Sequence, residues 1–380
     1  MDRDVWLWLW LNYGTQHNTQ IFNHILEMFD DLEEAFEAAS KRSSAAFSEV
    51  GEGVLIRLQD AASTGFMERY VSWLERHDIG VATLESPEYP SLLMQIYDPP
   101  TVLFYKGTLK SDMKLPIAVI GSRKCTAYGE EVGKTFARQL SENGATVVTG
   151  LAGGIDSIAA KGALSVTSSE YPVVGVLGCG IDVVYPKDNG KLYAEVAERG
   201  AVITEFIPKT GPKAENFPIR NRIMSGLSRG VLVIEAAERS GTSYTMGFAH
   251  EQGRDVFAVP GRLNDLNSVG TNRAIQRGEA KPVFGISDVL NEYSDSLDEI
   301  PYADNARELA FSSLSPLSQE VYMSIRIGEK TADELMECVD CSVAELNSTL
   351  TELSLSGIIK QLPGKLFACD MASTDVKLDK

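Results

Sequence analysis

The residues best suited to chemistry lie at positions 217–245, in the run FPIRNRIMSGLSRGVLVIEAAERSGTSYT. Arg220, Asn221 and Arg222 follow Phe217-Pro218 at the start of an expected helix. Two guanidiniums at a helix entrance offer planar, fork-shaped donors to an anion. An apolar run at 231–234 then leads through Glu235 to Ser240-Gly241-Thr242. That turn would present backbone N–H groups and hydroxyls at the opening of the next helix. The chemistry on offer is anion binding. The alternative is that the arginines pair with carboxylates and the turn only caps a helix.

Similar residues recur after other apolar runs. Gly121, Ser122, Arg123 and Thr126 follow 117–120, and Gly150, Ala152, Gly153, Gly154 and Asp156 follow 146–149. Gly178-Cys179-Gly180, Asp182, Lys187 and Asn189 follow 173–177, and Glu205 follows 202–204. Glycine lets the backbone approach a ligand and aim its N–H groups. One such loop is ordinary turn chemistry; five together point to a phosphate-binding edge with Arg123, Lys187, Arg220 and Arg222 as its cations. Asp156, Asp182, Glu205 and Glu235 are read as supports that hold the arginines, with acid/base chemistry as the other reading. Phe217 is the candidate to stack on a base, or else the anchor of its loop.

A rigid scaffold must carry these loops. Strands are expected at 117–120, 146–149, 173–177, 202–204, 231–234 and 256–259, with helices between them. Apolar runs without alternation imply strands buried on both faces, hence a doubly wound parallel α/β sheet over 117–290. In such a sheet ligands bind beyond the carboxyl ends of the strands, so all these loops converge on one edge. A short strand is expected at 282–284.

The flanks differ. Residues 1–80 are helical, with Trp6, Leu9, Trp10 and Tyr13 on one face. Residues 81–116 hold two short strands among prolines and read as a bridging segment. Residues 291–314 form an acidic linker. Residues 315–370 show three helices and a small hairpin, the pattern of a winged helix, with Cys338 and Cys341 on an apparent helix, and the last dozen residues read as a disordered tail.

The net charge of −18 argues against a polyanionic partner. Its distribution does not: residues 117–290 carry 19 Lys+Arg and 18 Asp+Glu, so the acidity lies in the flanks. From Asn291 onward there are 7 basic and 17 acidic residues, and the third helix of the tail carries Glu345 and Glu352 without a Lys or Arg. No apolar run is long enough to cross a membrane and no signal-peptide pattern opens the chain, so a cytosolic protein is expected. Five cysteines suit reduced thiols. One C-x-x-C with only four histidines in the chain gives no metal centre. Gly178-Cys179-Gly180 lacks the third glycine of a dinucleotide fingerprint, no Walker sequence occurs, and His250 is the only histidine of the central region. No cofactor and no catalytic residue follow.

The long motifs AVIGSRKCTAYG, TGLAGGIDSIAAKGAL, LGCGIDVVYPKDN, FPIRNRIMSGLS, VIEAAERSGT, RDVFAVPG and SVGTNRAIQRGEA resemble the DprA/Smf DNA-processing family. Ala160 departs from the family's usual histidine, and Tyr244-Thr245-Met246 from its usual Ile-Thr-Ala. The resemblance implies a Rossmann-like sheet with a small N-terminal helical, SAM-like domain and a winged helix. It implies a non-enzymatic, cytoplasmic homodimer that binds single-stranded DNA and loads RecA in natural transformation. It places Arg123, Lys187, Arg220 and Arg222 at phosphates. Ala274, Ile275, Pro282 and Phe284 lie where family members pair. A nucleoside-monophosphate phosphoribohydrolase is the alternative, although this chain lacks that group's Pro-Gly-Gly before Gly-Thr. The acidity of the winged helix leads us to expect that it does not bind DNA.

Overall fold

The computed structural model describes residues 1–63, 65–296, 314–356 and 358–369. The chain divides into two units, residues 1–297 and 298–380.

The first unit opens with α1 (Arg3–Thr15), α2 (Thr19–Met28), α3 (Leu32–Ser40), α4 (Glu52–Ser63) and α5 (Phe66–Arg76). Asp2, Asn18 and Asp31 cap α1, α2 and α3 by accepting backbone N–H bonds. Leu9, Trp10, Leu11, Phe22, Ile25 and Leu58 are fully buried among these helices, so the Trp-rich start is core.

Strand β1 (Gly80–Thr83), the short α6 (Ser91–Met94) and β2 (Val102–Gly107) follow. Then strands and helices alternate: β3 (Pro116–Ile120), α7 (Ala127–Glu142), β4 (Thr146–Thr149), α8 (Ile155–Leu164), β5 (Val173–Val176), α9 (Gly190–Arg199) and β6 (Ala201–Thr204). They continue through α10 (Asn216–Gly226), β7 (Gly230–Val233), α11 (Gly241–Glu251), β8 (Asp255–Ala258), α12 (Val269–Gln276), β9 (Lys281–Pro282) and α13 (Ser287–Leu290). Every residue of β3 to β7 is buried, as a sheet covered by helices on both faces requires.

The nine strands lie in the order β1-β2-β6-β5-β4-β3-β7-β8-β9. From β6 to β9 they run parallel. The chain lays β4, β5 and β6 down on one side of β3 and then returns to place β7 on the other. That reversal opens a crevice beyond the carboxyl ends of β3 and β7, the usual ligand position in such folds.

Residues 81–116, expected as a bridge packed against the next domain, join its sheet. β2 pairs antiparallel with β6, Phe104 opposite Thr204, and β1 pairs antiparallel with β2. Val102, Leu103 and Phe104 are fully buried, which draws the segment onto the sheet edge. Residues 291–296, expected in the linker, form a 3-10 helix in this unit, where Tyr293 donates to Asp255 at 2.7 Å. The rest of the expected linker, residues 297–313, and the tail from 370 lie outside the described residues.

The second unit contains α14 (Pro316–Ile327), β10 (Lys330–Thr331), α15 (Ala332–Met336), α16 (Val343–Leu355), β11 (Ile359–Leu362) and β12 (Leu366–Cys369). The strands form an antiparallel sheet in the order β10-β12-β11. Val321, Leu335, Leu346, Leu353 and Ile359 make its core, and Thr331 and Ser342 open α15 and α16 with capping boxes to Glu334 and Glu345. This is the expected winged helix, with β10 added. Cys338 and Cys341 lie between α15 and α16, because α15 stops at Met336. Among the described residues no helix is long and apolar enough to cross a membrane.

Candidate nucleic-acid interface

A cleft of about 640 Å³ opens at the crevice between β3 and β7. Gly121, Ser122 and Arg123 line it from β3, Ala152 and Asp156 from β4, and Ser240, Gly241 and Thr242 from β7. Phe217, Arg220 and Asn221 complete it from α10. The N-termini of α8, α10 and α11 face this edge, so their partial positive charges add up there. Gly154, at φ +76°, starts α8; a Cβ there would lie 2.3 Å from the Ser122 carbonyl oxygen, so only glycine lets the two loops touch.

The two arginines of α10 do different things. Arg220 lines the cleft but is 3% exposed. It donates from Nη1 to the carbonyl oxygens of Gly150, at 2.7 Å, and of Val176, and from Nε to Asn221 Oδ1 at 3.2 Å. It therefore ties the ends of β4 and β5 to α10 and charges the cleft floor. Arg222 is not in the cleft. It donates from Nη2 to Glu205 at 2.5 Å, and Asp98 lies 3.5 Å from its Nε. The expectation that Arg222 contacts phosphate is not met in the cleft, because Arg222 lies outside its lining and faces Glu205 and Asp98: residues two apart on a helix point in different directions.

The acids are engaged. Asp156 is buried, which pushes its carboxyl above the usual range, while Arg220 and the N–H groups of Ala152 and Gly150 pull it back. Burial raises Glu205 to about 7 against the pull of Arg222. Glu235 accepts from the Thr126 N–H at 3.0 Å and from the Thr126 hydroxyl, fastening β7 to the start of α7. Thr126 in turn caps α7 through Gly129 N–H. Asp182 accepts the Lys209 N–H at 2.7 Å.

Cations and rings meet at the cleft mouth. Arg123 is exposed and holds its guanidinium 5.0 Å from the centroid of Phe217. Phe217 is half-buried, packs on Gly178, and lies 5.6 Å from Tyr185 at an interplanar angle of 40°. Tyr244 lines the opposite wall and is 59% exposed. A groove with fixed N–H donors, exposed and buried guanidiniums and half-exposed rings suits a chain of phosphates carrying flat bases.

The structure thus brings Gly121, Ser122, Arg123, Ala152, Asp156, Phe217, Arg220, Asn221, Ser240, Gly241 and Thr242 together in one cleft. Other expected members stand outside its lining. Asn189 donates to the Leu151 carbonyl and the Ser157 hydroxyl, both at 2.9 Å, so its amide clamps α8. Thr126, Gly150 and Gly154 shape the loops, and Lys187 is exposed on the 3-10 turn Lys187–Asn189. Tyr185, Pro212, Pro218 and Met224 also line the cleft. Tyr185 carried a signal, an aromatic four residues before Asn189 in a glycine-rich loop. Of the expected pairing residues, Ala274 is buried and Ile275 packs on the core, while Phe284 is 75% exposed.

Residues 80–294 match the family model described as DNA recombination-mediator protein A, and residues 307–365 that of the DprA winged helix domain. The chain is 36% identical over 322 residues to Protein Smf of Escherichia coli, covering 82% of this chain and 84% of that protein. The crystal structure of DNA processing protein A from Streptococcus pneumoniae superposes with a TM-score of 0.65 at 33% identity, over 79% of this chain and all of that one. DNA processing protein A from Helicobacter pylori, whose structure is described for its single-stranded DNA binding mode, superposes with a TM-score of 0.52 at 31% identity, over 57% of this chain and 97% of that one.

Proposed function

The chain belongs to the DNA recombination-mediator protein A family, and from that premise we propose that it binds single-stranded DNA along the carboxyl edge of its sheet, shields it, and loads RecA onto it. It acts in the cytoplasm, as a homodimer, and serves natural transformation and recombination rather than catalysis. One observation carries the reading: the exposed Arg123 guanidinium stands over the half-buried Phe217 ring at the mouth of a cleft floored by Arg220. A cation for phosphate and a ring face for a base are thereby combined at one place. Binding is then tolerant of sequence and sensitive to salt, with about three phosphates neutralised and a slope of log K against log salt near −2.

The phosphoribohydrolase alternative needs a carboxylate free to assist loss of a base. Asp156, the carboxylate in the lining, is instead buried and accepts from the backbone N–H groups of Ala152 and Gly150. The deciding experiment titrates labelled single-stranded and duplex oligonucleotides across a range of salt, with a parallel incubation in AMP. Salt-dependent preference for the single strand and intact AMP are expected. Release of adenine, or preference for duplex, would refute the reading. For RecA, the expected result is faster RecA assembly on single strands covered by the protein; unchanged assembly would remove that role.

A further inference from the structure

The loop that follows β6 runs from the cleft to the N-terminal helices. Pro212 and Ala214 line the cleft, and a few residues earlier Lys209 reaches α5. Lys209 is exposed and adopts φ +70°, a left-handed conformation that ordinarily selects glycine. Its N–H is fixed on Asp182, and the Thr210 carbonyl accepts the Gly180 N–H at 2.9 Å, so the turn is anchored to the loop after β5. The turn throws the side chain outward, and its ammonium stands 5.5 Å from the centroid of Trp73. Trp73 in turn lies 4.3 Å from His77 at 31°. α5 uses Met67 and Leu74 for the core, which leaves Trp73 half-buried at the surface.

The arrangement at the cleft mouth is therefore repeated. Arg123, Phe217 and Tyr185 form one cation-and-ring group. Lys209, Trp73 and His77 form another. The glycine loop 178–180 joins them, touching Phe217 on one side and the Lys209 turn on the other. Stacking surfaces spaced along a cationic track are what binds a single strand longer than one pocket.

Resting on the single-strand reading above, we propose that the bound strand continues past the cleft, over the loop after β6, onto α5. Lys209 takes a phosphate there and the Trp73–His77 pair takes a base. The N-terminal helices are then part of the DNA track.

The test compares oligothymidylates of about 6 and about 20 nucleotides, lengths that bracket the reach of a single pocket. They are titrated into the parent chain, Lys209→Gln and Trp73→Phe, with tryptophan emission recorded. Glutamine keeps the strain at φ +70° unchanged and removes only the charge. For the longer oligonucleotide, Lys209→Gln is expected to lower affinity about fivefold and flatten the salt slope by about 0.7, one phosphate's share. The shorter one should bind within twofold of the parent. The longer strand should also quench the parent's emission, and Trp73→Phe should abolish that quenching. Two results would overturn the proposal: unchanged long-strand affinity with no quenching that depends on Trp73, or an equal loss for both lengths, which would place the effect in the cleft. A parent chain that binds neither oligonucleotide would sink the single-strand reading and this proposal with it, and is distinguished from the other two by that control.

Discussion

Replacing Arg123 by alanine removes one guanidinium from the mouth of the cleft and leaves the core intact. The side chain is exposed, and its guanidinium lies 5.0 Å from the centroid of the Phe217 ring. A charge-assisted hydrogen bond to phosphate contributes about 1.5–3 kcal/mol, and solvent exposure places Arg123 at the lower end. The expected loss is thus about tenfold in single-strand affinity, at about 1.4 kcal/mol per factor of ten. One phosphate fewer also flattens the salt slope by about 0.7. The cation–π contact contributes about 0.5–1 kcal/mol at an exposed site, so the melting temperature should fall by no more than about 3 °C. Fluorescence anisotropy of a labelled oligothymidylate at several salt concentrations reads both quantities, with thermal denaturation alongside. If affinity and slope both match the parent, Arg123 is not a phosphate ligand and the cleft mouth has been misassigned.

Truncation after residue 312 should leave single-strand affinity within about threefold, because the removed unit carries excess acid and phosphate contacts are electrostatic; a tenfold loss would give the winged helix a share in binding. Phe284→Glu should convert a dimer to monomers in light scattering, and a dimer that persists places the interface elsewhere. A last expectation concerns pH. Glu205, raised to about 7, adds stability that is complete below its ordinary 4.5 and lost as pH climbs through 7. His17, pushed down to about 4 by burial and then by Arg222, adds stability that is present above 6.5 and lost as pH falls through 4. The two oppose each other between those values. Glu205→Gln should leave the His17 dependence alone, so that thermal stability rises from about pH 4 to pH 6.5 more steeply than in the parent; superimposable pH curves would refute this.

The inner strands were legible because Val, Ile and Ala runs without polar alternation fit a sheet covered on both faces. The edge that binds ligand followed from that sheet. What the sequence concealed was pairing between distant segments. Val102, Leu103 and Phe104 read as a strand, but nothing local says that its partner is β6, about a hundred residues on. Asn189 looked like a ligand because its glycine-rich neighbours did; its amide is used on Leu151 and Ser157, which only the tertiary fold brings near. Arg222 was decidable in principle. Neighbours at i and i+2 are about 200° apart around a helix, so Arg220 and Arg222 cannot both face one anion. The matching carboxylate, Glu205, was named as a support, but its partner could not be chosen from spacing alone.

The outer end of the sheet constrains how copies of this chain can meet. β9 is only two residues long and one of them is Pro282, which has no N–H to donate. A neighbouring molecule cannot extend the sheet there by strand addition, since the rim offers no run of alternating donors and acceptors. Any association at this end must use side chains, and the exposed Phe284 ring just beyond the rim is the group in position to do so. Such a joint is a patch of apolar surface and not a hydrogen-bonded seam. It can be opened by a single charge, and it does not template the open-ended stacking of sheets that a long bare edge would invite.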